Sequence, residues 1–204
     1  MCRPEVVDRC YSSFSKCLRG ISLRKCTLFL NIDPLPDVRR RNEVIEVAKQ
    51  YFGMVVPNCP SEANFPRAVR WCWSQAQTEF LFHLEDDWEL LRRIRVDRLL
   101  KLMASNKELQ QIALRAYRRY RWHCLSPSLL RNQFYTDAAK NMVDTLNPET
   151  QLHRIYGAQR RRVFGYPRKI VLRDIGRDYL KTQQFIKPRV KREFVAWTEK
   201  NSTP

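Results

Sequence analysis

Phe80-Leu81-Phe82-His83-Leu84-Glu85-Asp86-Asp87-Trp88 joins a short apolar run directly to three consecutive acids. The run is long enough for a buried strand and too short for a helix, so the acids stand at a strand's carboxyl end. An earlier stretch has the same design. Thr27-Leu28-Phe29-Leu30-Asn31-Ile32 reads as a buried strand, and Asp33-Pro34-Leu35-Pro36 stops it, because two prolines block either regular structure. Helical spacing fills the intervals. Residues 5–20 place Val6, Cys10, Phe14 and Cys17 about one turn apart before Gly20, and residues 39–52 put Val44, Val47, Ala48, Tyr51 and Phe52 on one side. Met54-Val55-Val56 is a further short strand. Asn64 is placed to cap a helix with Pro66 in its first turn and with Ala68, Trp71, Cys72 and Gln75 along it. Residues 89–104 read as a basic amphipathic helix carrying Leu90, Leu91, Ile94, Leu99, Leu100, Leu102 and Met103, and Leu109–Leu114 as another strand. Alternating strands and helices imply right-handed crossovers, hence an α/β fold with a mostly parallel sheet and flanking helices. Such sheets bind ligands outside the carboxyl ends of their strands, where both acidic turns would face one cleft.

Beyond Tyr120 the pattern is less regular. Pro127, Pro148 and Pro167 punctuate it, a helix is expected near Phe134–Leu146, and Arg and Lys crowd the chain from Arg154 onward. The expected organisation is one domain over residues 1–204, with 154–204 a basic C-terminal region. Thirty-eight Lys and Arg against 21 Asp and Glu leave a net charge of +17, which calls for a polyanionic partner. The longest stretch without a charge, Gln50–Ser61, has 12 residues and two prolines, too short and broken to span a bilayer. The start Met1-Cys2-Arg3-Pro4 lacks the apolar run of a secretory signal, so a cytoplasmic location is expected. Seven cysteines occur without a Cys-x2-Cys pair, which favours free thiols over a zinc site. No Walker loop or dinucleotide-binding glycine fingerprint is present.

Three adjacent carboxylates repel one another when desolvated, so Glu85-Asp86-Asp87 calls for a divalent cation or a basic partner. Mg²⁺ or Mn²⁺, which favour carboxylate, phosphate and water oxygens, would suit a diphosphate-bearing substrate. A solvated turn capping the next helix is the plainer alternative. Glu149, in a Pro-Glu turn, is a candidate general base or simply a helix-capping acid. His153 is a candidate metal contact or diphosphate donor, or a surface-turn residue. His83 is either a phosphate contact or a satisfied, partly buried histidine. Arg160, Arg161, Arg162, Arg168, Lys169, Arg173 and Arg177 are interleaved with Tyr156, Phe164, Tyr166 and Tyr179, which combines phosphate-contacting cations with base-stacking rings. A basic solvated face over an aromatic core would have the same composition.

The segment Phe82–Trp88, preceded by Asn64-Phe65-Pro66 and Ala68 and by the strand ending Asn31-Ile32-Asp33, resembles the nucleotide-sugar-binding core of small GT-A-type glycosyltransferases, related short forms of which phages encode. Ser126-Pro127-Ser128-Leu129-Leu130, Asn147-Pro148-Glu149-Thr150-Gln151-Leu152 and Asp174-Ile175-Gly176-Arg177 resemble later segments of that group, so the likeness covers most of residues 3–180. It implies a GT-A-like, Rossmann-related sheet. It also implies Asp87 as the direct metal ligand, Asp86 as second ligand or sugar-contacting acid, and Glu85 as an orienting group. Asp33 is implied at the nucleoside, and Arg3, Asn64, Arg67 and His153 elsewhere around the donor. Arg3 resembles the residue that opens the first helix after that family's first strand, yet only Met1-Cys2 precede it. A shortened first strand would leave an open sheet edge, to be met by another chain, a rearranged terminus or an incomplete nucleotide pocket.

The resemblance implies metal-dependent transfer of a sugar from a nucleotide-sugar donor to a hydroxyl. With the +17 charge and the phage connection, the expected acceptor is a hydroxylated base in double-stranded DNA, inside an infected bacterial host. Either an exposed major-groove substituent or a flipped base would present that hydroxyl. Two alternatives stand beside this reading: a noncatalytic DNA-binding protein that retains the fold, and an enzyme whose acceptor is a small molecule or surface glycan.

Overall fold

A computed structural model of the chain describes residues 2–34, 37–115, 124–156, 163–165, 167, 169–176, 178–179, 185–186 and 198–199. Pro4 presets φ for a first helical turn, and Glu5 there and Lys16 in the last turn complement the helix dipole of α1 (Pro4–Cys17). Val6, Val7, Cys10, Tyr11 and Phe14 bury one stripe of it. The chain leaves through β1 (Leu18–Arg19) to Gly20, whose φ of +78° favours glycine and where a Cβ would come 2.3 Å from Asp97 Oδ1.

Next come β2 (Thr27–Asn31), α2 (Arg41–Tyr51) and β3 (Met54–Asn58). β2 and β3 pair in parallel from Thr27↔Met54 to Asn31↔Asn58. Pro57 is tolerated because β3 has no second neighbour among the described residues. α3 (Phe65–Ser74) starts where the Asn64 side chain accepts a hydrogen bond from the Arg67 backbone N–H at 2.9 Å, and it leads to β4 (Phe80–His83). After the acidic turn come β5 (Trp88–Leu90), β6 (Ile94–Arg95), α4 (Val96–Ser105), β7 (Leu109–Ala113), β8 (Ser128–Arg131), α5 (Asn132–Lys140) and α6 (Pro148–Tyr156). The short strands β9 (Val163–Gly165), β10 (Leu172–Asp174), β11 (Phe185–Ile186) and β12 (Thr198–Glu199) complete the described elements.

The fold is mixed α/β with short parallel and antiparallel sheets. In place of one mostly parallel sheet, the described strands form a four-stranded sheet in the order β4-β8-β7-β9 and four two-stranded pairs. β4/β8 and β7/β8 are antiparallel and β7/β9 is parallel; β1/β6 and β2/β3 are parallel, whereas β5/β10 and β11/β12 are antiparallel. Three local expectations change with this pairing. Residues 88–90 and 94–95 are strands where the start of a helix is expected: Trp88 and Leu90 alternate inward and β5 bonds to β10, some eighty positions away in sequence, while β6 bonds to β1. Ser128–Arg131 is a central strand, and the helix expected near Phe134–Leu146 runs from Asn132 to Lys140.

The largest apolar cluster lies beneath α1 and α2 and includes Phe14, Ile32, Ala48, Trp88 and Leu90. A second joins α3 to α5, with the Trp73 and Tyr135 rings edge to face at 4.9 Å. A third lies under α4, around Met103, Ile112 and Leu129. Gln111, fully buried on β7, donates from Nε2 to the Cys124 carbonyl at 2.6 Å and to Ser128 Oγ at 2.9 Å, and accepts from the Tyr135 hydroxyl at 3.1 Å. That network holds the sheet to α5 without leaving the amide unpaired. All seven cysteines are free thiols. Among the described residues no helix is long and apolar enough to cross a membrane.

Candidate functional site

β2 and β4 end beside the first residues of α1. Cys2 Sγ donates to the Asp33 carbonyl at 3.3 Å, just past β2, and Arg3 Nη2 donates to Asp86 Oδ1 at 2.8 Å, just past β4. Two consecutive residues thus clasp the carboxyl ends of both strands, the edge at which open α/β sheets bind ligands. Arg3 is 2% exposed and also lies 3.8 Å from Asp87 Oδ2, while Asp86 and Asp87 are 24% and 23% exposed. Its guanidinium carbon stands 5.7 Å above the centre of the Tyr179 ring.

The electrostatics follow from this clasp. Burial pushes the Asp86 carboxyl up, but the Arg3 charge and hydrogen bond outweigh burial and hold it below the usual carboxylate range. Burial likewise works against the Arg3 cation, and Asp86 followed by Asp87 more than offset that and strengthen its hold on its proton. Burial pushes the nearby Cys10 thiol far up, with the two aspartates adding to it, so that group is an inert neutral neighbour. Glu85 Oε2 accepts from the Trp88 indole N–H at 2.9 Å, which helps fix the turn.

Asp87 is held from the other side. Its carbonyl accepts from the backbone N–H groups of Ile175 at 2.8 Å and Gly176 at 3.3 Å, and a Cβ on Gly176 would stand 2.5 Å from Asp87 Oδ2. Glycine is therefore required by close approach, since an added methyl would displace the carboxylate. Asp33 is ordered by a short relay, in which Asn58 Nδ2 donates to Asn31 Oδ1 at 2.7 Å and Asn31 Nδ2 to Asp33 Oδ1 at 3.0 Å.

Arg3, Asp33, Glu85, Asp86, Asp87 and Asn147 line one cavity of about 940 Å³ whose remaining wall is largely apolar. The structure therefore brings together Arg3, Asp33 and the acidic turn. Asn64, Arg67, Glu149 and His153 are not among the lining residues. Asn64 serves as the α3 cap, and Arg67 Nε pairs with Asp144 Oδ2 at 3.2 Å. Glu149 Oε1 accepts from the Leu125 backbone N–H at 2.8 Å, an engagement that ties α6 to the start of the β8 segment. His153 lies exposed on α6. His83 lines the cavity wall and accepts the Trp73 indole N–H on Nδ1 at 3.3 Å. Burial lowers its pKa to about 4, so it is neutral near pH 7. Asn147 is a lining residue to which the sequence reading gave no role of its own. Its Oδ1 accepts from the Glu149 backbone N–H at 2.9 Å, and the signal for it was the Asn-Pro-Glu helix start.

Of the basic residues expected to meet nucleic acid, Lys169 is exposed, whereas Arg173 binds Glu89, with Nε at 2.7 Å, a carboxylate that Arg9 also holds. Arg160, Arg161, Arg162, Arg168 and Arg177 lie outside the described residues.

As a metal centre the donor set is sparse. Among the described residues no group of three or more His, Cys, Asp and Glu is placed to hold an ion, and Asp86 already faces Arg3. Mg²⁺ and similar hard cations bind through one or two carboxylates together with substrate phosphates and water. Asp87, supplemented by Asp86, fits that mode, in which substrate oxygens complete the shell. No protein-family model matches the chain, and no curated protein matches it in sequence.

Proposed function

We propose that the chain is a metal-dependent glycosyltransferase of GT-A type, transferring a sugar from a nucleotide-sugar donor to a hydroxyl. The observation that carries this reading is the convergence of Asp33 and Asp86-Asp87, at the carboxyl ends of two strands, on one cavity through Cys2 and Arg3. Asp33 is the group for the nucleoside end of the donor, where its carboxylate would accept hydrogen bonds from hydroxyls. Asp87, with Asp86 beside it, would hold Mn²⁺ or Mg²⁺ together with the diphosphate. When bound, the cation supplies Lewis-acid stabilisation of the departing nucleotide diphosphate. Arg3 fixes the Asp86 rotamer and keeps it ionised. Because Glu149 is tied to the Leu125 backbone, Asp86 is the better-placed carboxylate to contact the transferred sugar. The net charge of +17 supports a polyanionic acceptor, with a hydroxylated base in double-stranded DNA as the specific proposal.

One observation favours a second reading, a noncatalytic DNA-binding protein with the same fold: Arg3 already neutralises Asp86, which lowers the need for a cation. A single experiment decides between them. A panel of nucleotide sugars is titrated calorimetrically into the protein with and without Mn²⁺, beside Asp87→Asn. Mn²⁺-dependent binding of one donor, weakened tenfold or more by Asp87→Asn, is the expected result. A folded protein that binds no donor under either condition, yet binds DNA with strong salt dependence, would sink the transferase reading.

A further inference from the structure

The cavity behind the acidic turn runs the length of β2. It is lined by Thr27, where β2 begins, and by Asp33, beyond its end. Six residue steps of about 3.3 Å each make that distance about 20 Å. The wall between is apolar, formed by Leu28, Phe29, Phe82 and Leu100 beside the buried Val69 and Leu129.

Both strands leave apolar surface uncovered. All four residues of β4 keep some exposure, and Leu30 is the one fully buried residue of β2. Leu28, Phe29, Leu81 and Phe82 line the cavity, so it is a carbon-walled space of about 940 Å³. Filling it with water is unfavourable, and an apolar ligand that displaces the water relieves the cost.

The two ends differ in charge. Asp33, Asp86 and Asp87 stand at one end, where Arg3 is committed to Asp86. At the Thr27 end Lys25 lines the cavity, is exposed and forms no ion pair with any described residue. An anionic head group is repelled from the first end and attracted to the second.

We propose that this cavity binds a long-chain fatty acid, with its carboxylate at Lys25 and Thr27 and its unbranched chain running toward the acidic turn. An extended chain with C–C bonds of about 1.5 Å advances about 1.25 Å per carbon, so about 20 Å takes about sixteen carbons. Leu28, Phe29 and Phe82 flank the middle of that chain, and the methyl end stops below the aspartates. The inference rests on the cavity's length and its charge asymmetry, and it does not depend on the sugar-transfer reading.

The test titrates the full chain calorimetrically with four amphiphiles held below micelle formation: hexadecanoic acid, octanoic acid, dodecanol as the neutral control and hexadecyltrimethylammonium as the cationic one. Hexadecanoic acid is expected to bind once per chain. Each buried methylene is worth about fourfold in affinity, so octanoic acid should bind at least about a hundredfold more weakly. Lys25→Glu, a surface change whose fold circular dichroism checks, should weaken hexadecanoic acid about fivefold and leave dodecanol unchanged. Amide hydrogen exchange in the hexadecanoic acid complex should slow within Thr27–Asn31 and Phe80–His83. No saturable binding of that acid, equal affinity for octanoic acid, or unchanged exchange in both strands would overturn the proposal. So would a Lys25→Glu effect that is the same for acid and alcohol. Tighter binding of the ammonium compound would overturn it as well, because the head group would then sit at the aspartates.

Discussion

Replacing Arg3 with methionine isolates the contact on which the candidate site is built. The Arg3 to Asp86 separation is 2.8 Å with Arg3 2% and Asp86 24% exposed, and at an effective dielectric of 20 that distance corresponds to about 6 kcal/mol of attraction. Part of this is spent on desolvating the two ions, and Asp86 keeps some water. The net loss expected from Arg3→Met is therefore about 3 kcal/mol, at the lower end for breaking a buried pair. With a urea m-value of about 2 kcal/mol/M, the unfolding midpoint should fall by roughly 1.5 M. The cycle with Asp86→Asn is diagnostic. The double variant should recover about 2 kcal/mol relative to the sum of the singles, because the aspartate charge that Arg3→Met strands is then absent. The pH response supplies a sign. In the native protein Asp86 lies below its unfolded value, so its contribution is present above the unfolded carboxylate range and is lost as pH falls through the folded pKa. Without Arg3, burial is opposed only by the chain's amino terminus and a backbone hydrogen bond, so the Asp86 pKa should rise and acidification from pH 7 to 5 should relieve part of the deficit. Additive single effects, together with a deficit that is constant over that range, would refute the view that this pair holds the two strand ends together.

His83 provides an independent pH signature. Its folded pKa is lowered to about 4 by burial, against about 6.5 unfolded. The unfolded chain therefore takes up the proton first, and stability should fall by about 3 kcal/mol between pH 6.5 and 4. His83→Gln should flatten that segment of the urea-midpoint curve, and parallel curves for the two proteins would show that the histidine is accessible to protons when folded. Gly176→Ala places a methyl 2.5 Å from Asp87 Oδ2 and 2.7 Å from its Cβ, so the turn must shift at a cost of about 1–3 kcal/mol. Thermal unfolding should register that cost, and Mn²⁺-dependent donor binding should weaken at least tenfold in calorimetry. Unchanged binding would remove Asp87 from the metal assignment.

Most of the helices and the strands β2, β3, β4 and β7 were legible because each carries its own periodicity. α3 is the clearest case, with an Asn64 cap and Pro66 within eleven residues that need no partner to be recognised. Strands β5 and β8 were not legible. Trp88–Leu90 has apolar spacing that suits a helix as well as a strand, and only β10, distant in sequence, selects the extended form. Ser128–Arg131 is central because β4 and β7 both pair with it. In the site, the acidic turn and Asp33 were visible as acids behind apolar runs. The contacts that Asn64, Arg67 and Glu149 make with a backbone N–H or a neighbouring acid were not visible in the chain, because their partners, apart from the Asn64 cap, are distant in sequence.

The sequence by itself determined the alternation of elements, the placing of acids at strand ends and the strongly basic balance, since these depend on residue type and short-range spacing. Tertiary structure alone decided which strands pair, that Cys2 and Arg3 clasp the ends of β2 and β4, and that one cavity is lined by both strands and the acidic turn. The physical reason is range. Periodicity and capping act over a few residues, whereas sheet order and the Arg3 pairing with Asp86 join positions 83 residues apart, and many such pairings are compatible with the same local pattern until the core chooses one.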